Sequence, residues 1–68
     1  MKGKPKFNYG DKVQFTLSDG TYIGTIYIID MYGTFENPSD VSYDIMVDDY
    51  NGKPCLFKHI TEKLVSKL

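Results

Sequence analysis

Val41-Ser42-Tyr43-Asp44-Ile45-Met46-Val47, followed by Asp48-Asp49-Tyr50-Asn51-Gly52, decides the fold class of this 68-residue chain. Val41, Tyr43, Ile45 and Val47 share one parity, and Ser42, Asp44 and Met46 the other. That period of two is the pattern of a strand with one buried face. Asn-Gly then supplies two residues that tolerate positive φ, the strongest short-range signal for a hairpin. A partner strand is therefore expected from Pro54 to about Lys58.

Upstream, Val13, Phe15 and Leu17 alternate with Lys12, Gln14 and Thr16, which predicts a strand over 12–17. Ser18-Asp19-Gly20 turns the chain, since Gly accepts positive φ and Asp bonds its own backbone. Thr21 to Tyr32 is apolar on both parities. Such a strand bends between two layers, and Gly24 suits a bend or a close backbone approach. Asn37-Pro38-Ser39-Asp40 marks a loop over 33–40. His59 to Leu64 loses the alternation and is too short for a stable helix, which predicts one helical or 3-10 turn with Ile60 and Leu64 facing inward. A last short strand follows over 65–67. Five short strands without a useful amphipathic helix predict an all-β fold, a small five-stranded SH3-like barrel that closes its own edges.

The chain has no Ala, Arg or Trp and is rich in Lys, Ile, Tyr and Asp, a bias toward strands. Its length suits one domain, expected over 7–68 behind a flexible basic leader over 1–6. Cys55 is the only cysteine, so no internal disulfide can form, and a reducing cytoplasm fits. No apolar run approaches the length of a membrane span, and no membrane role is expected. The net charge is −1, but it is segregated: +3 over 1–12, −7 over 13–52 and +3 over 53–68. Folding brings the ends beside the middle, so either the charges neutralise one another across the surface or a basic face survives.

Sites for chemistry fail by count. His59 is the only histidine available as a base. A regular strand would place Cys55 and His59 on one face, where they could form a thiol–imidazole pair; the other reading of a lone strand cysteine is a small core hydrophobe. Zinc needs more His and Cys than one of each. Aligning Gly52 with the glycine of a calcium-binding loop puts Val47 and Lys58 at ligand positions, which they cannot serve. Asn37-Pro38-Ser39 carries the proline that blocks glycosylation, and no phosphate-binding glycine loop occurs. No cofactor, no metal and no enzymatic activity are expected.

Ten aromatic residues, six Tyr and four Phe, are more than one small core readily holds. Tyr22, Tyr27, Tyr32 and Tyr50 serve wall packing or a contact surface, and Lys58 and His59 stand beside them as candidate contacts. The segment from Tyr43 to Gly52, with Phe57-Lys58 after it, resembles the YorP-like small proteins of phages and prophages. That resemblance implies an SH3-like barrel of bacterial or phage origin and unassigned function. The Gly10-Asp11-Lys12-Val13 opening also resembles KOW and Tudor-like barrels, which bind RNA, ribosomes or modified peptides. The expectation is a non-catalytic binding module, monomeric, contacting a protein or nucleic acid through one barrel face. The alternative is an assembly subunit acting through self-association as a homo-oligomer or docking on a larger particle.

Overall fold

The structure, a computed structural model, describes residues 5–31 and 41–68. It is all-β: β1 (Lys12–Leu17), β2 (Gly20–Asp30), β3 (Ser42–Tyr50), β4 (Lys53–Thr61) and β5 (Val65–Lys67), with a 3-10 turn over Glu62–Leu64 before the last strand. The strands form one antiparallel sheet in the order β4-β3-β2-β1-β5, wrapped into a small barrel-like body. Its inner face is the core. Val13 and Phe15 of β1, Ile26 of β2, Tyr43, Ile45 and Val47 of β3, Ile60 of β4 and Val65 of β5 are buried, and Phe7 and Val41 close the same cluster.

Both short hairpins form where turn chemistry places them. Leu17 pairs with Gly20 and Tyr50 with Lys53, leaving two-residue loops at Ser18-Asp19 and Asn51-Gly52. Asn51 and Gly52 take φ of 55° and 83°, the paired left-handed conformation that twists with the flanking strands. The Asp49 carboxylate accepts the Gly52 N–H at 2.8 Å and fixes the turn.

Four expectations need correction. The irregularity of β2 lies between Ile26 and Ile28 rather than at Gly24, because Tyr27 is an extra residue between the rungs Ile26–Ile45 and Ile28–Asp44. Gly24 serves the other purpose considered for it: a Cβ there would lie 2.5 Å from the Met46 carbonyl oxygen. β4 runs three residues past Lys58, since a bulge absorbs the lost alternation instead of ending the strand. Leu64 is 44% exposed, so Ile60 faces inward without it. β2 ends at Asp30, short of the expected Tyr32; Tyr32 and the loop expected over 33–40 lie outside the described residues.

Where the leader was expected to fray, Lys6 is already held. Its backbone N–H donates to the Tyr43 hydroxyl and to Glu62 Oε2, both at 3.1 Å. Segregated charge is partly rejoined by folding: Lys12 Nζ lies 3.8 Å from Asp48, and Lys67 Nζ lies 3.6 Å from Asp11.

Candidate functional site

The barrel sorts the sequence-derived candidates into two groups. Tyr22 and Tyr50 pack with Phe15 and Phe57 in a continuous ring cluster, with centroids 5.0 to 5.7 Å apart. Both tyrosines are half-buried and lean on the core from the end that carries the two short hairpins. The Tyr22 hydroxyl donates to Asp19 Oδ2 at 2.8 Å. That bond to a carboxylate, with burial behind it, holds the phenol proton and pushes the Tyr22 pKa up to about 12. Ring–ring contact of this kind packs the barrel wall while leaving both tyrosines partly exposed.

Tyr27, Lys58 and His59 are brought together from two strands around Asp44 of β3. Tyr43 and Ile45 are fully buried, so Asp44 between them faces outward. On one side, the β2 bulge presents Tyr27 and Ile28 consecutively to solvent, 57% and 44% exposed, with Ile28 paired to Asp44. On the other side, β4 spends two residues, Lys58 and His59, between the rungs Ile45–Phe57 and Tyr43–Ile60, opposite Asp44 alone. Both are exposed. Two bulges thus converge on one carboxylate.

His59 takes φ of 57°, an uncommon conformation for a residue with a Cβ. Asp44 Oδ1 accepts its backbone N–H at 3.0 Å, which supplies the bond that the interrupted ladder withholds. The bulge also breaks the alternation that a Cys55–His59 pair requires. Cys55 stands half-buried opposite Val47, one half of the strand away from the exposed imidazole.

The surrounding outer face is more apolar than the sequence suggested. Ile23 is 54% exposed, and a cross-strand row of Lys12, Thr25, Met46 and Leu56 runs beside it. Ile23 was recoverable from its parity with Thr21 and Thr25. Ile28 was not, because its direction depends on a bulge that the β2 sequence does not announce. Among the described residues, no group of three His, Cys, Asp or Glu side chains is placed to hold a metal ion, and no helix is long and apolar enough to cross a membrane. No protein-family model, curated protein or solved structure matches the chain.

Proposed function

We propose that this chain is a non-catalytic binding module that contacts a protein partner through the outer face of β2, β3 and β4, centred on Tyr27 and Ile28. The carrying observation is the pair of bulges about Asp44. One presents two large apolar side chains in succession to water, and the other holds a histidine in a costly backbone conformation beside them. Bulges re-aim side chains, and backbone strain is retained where the surrounding structure has a use for it.

A protein suits this face better than a nucleic acid. Tyr27 offers a stacking ring and Lys58 a cation, but Asp44 and Asp48 occupy the same face, where phosphates would meet them. The sheet edges are poor docking sites by comparison. β4 carries Pro54 opposite a bulge at Asp48-Asp49 and a second bulge at Lys58-His59, while β5 is three residues long. The resemblance to the YorP-like proteins is in keeping with a bacterial or prophage module, and the lone cysteine with a cytoplasmic one.

Capture from bacterial lysate on the immobilised protein, run beside a Tyr27→Ser/Ile28→Ser variant of matched thermal stability, tests the reading. A protein retained by the wild type and lost by the variant is expected. Micromolar binding of single-stranded DNA or RNA that weakens steeply with salt would overturn the protein reading in favour of a nucleic acid.

A further inference from the structure

We propose that β4 has two registers on β3, of which the structure shows the bulged one. In the other, both bulges vanish and the segment from Cys55 to Lys58 turns over, carrying Phe57 from the core to the outer face.

The pairing of β3 with β4 contains both registers. Tyr50–Lys53, beside the two-residue turn, and Tyr43–Ile60 and Ser42–Thr61, at the far end, lie on the register that the turn sets. Ile45–Phe57, Met46–Leu56 and Val47–Cys55, between them, are displaced from it by one residue. The bulge of Asp48-Asp49 opposite Pro54 opens that displacement, and the bulge of Lys58-His59 opposite Asp44 closes it. One extra residue sits on each strand, so the two cancel. The hairpin can therefore pair without either bulge while both of its ends stay in place. Asp44 then stands opposite His59, Ile45 opposite Lys58, Met46 opposite Phe57, Val47 opposite Leu56 and Asp48 opposite Cys55. A slip of one residue exchanges the faces of a strand, so Leu56 and Lys58 turn inward and Cys55 and Phe57 outward.

The two arrangements bury similar surface. Cys55 and Phe57, on the inner face, and Leu56, on the outer, are all half-buried. β4 stands at the edge of the sheet and pairs with β3 alone among the described residues, so no other ladder has to break. The bulged register keeps Phe57 against Phe15, Tyr22 and Tyr50 and leaves Lys58 in water. The bulge-free register restores the interrupted ladder and returns His59 from φ of 57° to extended backbone. Lys58 opposes it. Opposite the fully buried Ile45 its stem would lie over the core, and only the open edge would let the ammonium reach water. With gains on both sides, the second register is a minor state of about 0.1–10%, reached by local opening of one edge segment. It needs no partner.

Relaxation-dispersion NMR on the full chain, with cross-strand NOEs to report register, tests the proposal. In the wild type the amides of Asp44, Asp48, Asp49 and Cys55 to His59 are expected to share one exchange process on the microsecond-to-millisecond scale, absent from β1 and β5. Lys58→Leu removes the charge that opposes the inward turn and is expected to make the second register the major one. The NOEs of Met46 then move from Leu56 to Phe57, and those of Val47 from Cys55 to Leu56. His59→Val penalises positive φ without touching Lys58 and is expected to enlarge the exchange, whereas His59→Gly quiets it. If thermal melts show that Lys58→Leu does not fold, the two His59 variants decide. Flat dispersion along β4 in the wild type, a folded Lys58→Leu that keeps Val47 opposite Cys55, or His59 variants that fail to shift the exchange in that order would each overturn the proposal.

Discussion

Two residues carry backbone constraints that their side chains make testable. At Gly24 the space for a methyl group is occupied by the Met46 carbonyl oxygen at 2.5 Å and by Ile45 Cγ2 at 2.7 Å, so β3 lies directly over the glycine. The obstacle is backbone of the central pair, which cannot step aside without disturbing its ladder. Gly24→Ala is expected to cost about 1–3 kcal/mol, read as a lower urea midpoint with an unchanged slope. His59 presents the opposite case, an L-residue at φ of 57° where glycine would sit without strain. His59→Gly is expected to leave stability unchanged or raise it by up to about 1 kcal/mol, whereas the β-branched His59→Val lowers it by about 1–2 kcal/mol. Thermal unfolding of the two variants checks the sign. A destabilised glycine variant would mean that the imidazole makes a structural contact beyond its backbone role. Gly24 was legible in the sequence as a place of bending or close approach. Only the three-dimensional neighbour decides between those two, and His59 gave no local signal of positive φ.

At the scale of elements, legibility followed how far each strand obeyed its own period. β1 and β5 were read to the residue, and β3 was read over its alternating part, because one face is buried and the other solvated. β2 and β4 were read in existence but not in detail, since a bulge is a relation between two strands and leaves no mark on one strand alone. That is why Tyr27, Lys58 and His59 were found as candidates while Asp44, the residue that joins them, was not. The Asn51-Gly52 turn was legible in full and sets the register of β3 against β4. Gly52 takes φ of 83° with open space where a Cβ would go, so the penalty for a side chain is conformational rather than steric contact. Gly52→Ala is expected to cost about 1–2 kcal/mol, while Asp49→Ala removes the carboxylate that accepts the Gly52 N–H and costs about 0.5–1.5 kcal/mol. Equilibrium unfolding measures both. If the alanine at 52 were silent, the turn would not be what holds the register.

The whole molecule is tied shut at one place that no single element contains. Glu62, in the 3-10 turn, accepts the Tyr43 hydroxyl at 2.6 Å and the Lys6 N–H at 3.1 Å, so one carboxylate joins β3, the approach to β5 and the chain before β1. Phe7 packs edge-on against the Tyr43 ring at 5.5 Å and covers the same point. Burial of the phenol, reinforced by its bond to the Glu62 carboxylate and opposed by the Lys6 N–H, pushes the Tyr43 pKa up to about 12. Tyr43 and Tyr22 thus both hold their protons more tightly in the fold than an ordinary phenol, whose pKa is 10.0. A group whose folded pKa lies above its unfolded one contributes stability that is fully present below the unfolded value and is lost as pH rises through the folded one. Stability is therefore expected to hold up to about pH 10 and to fall between there and pH 12, with no loss from these two groups on the acid side. Ultraviolet titration of tyrosinate, run beside circular dichroism, checks this: two tyrosines should ionise late, together with the loss of sheet. Glu62→Gln keeps an acceptor for Tyr43 but removes the charge, so it should lower the Tyr43 titration without bringing it back to the ordinary range, because burial is the larger cause. A Tyr43 that titrated normally in the folded wild type would show that the barrel is open at this end.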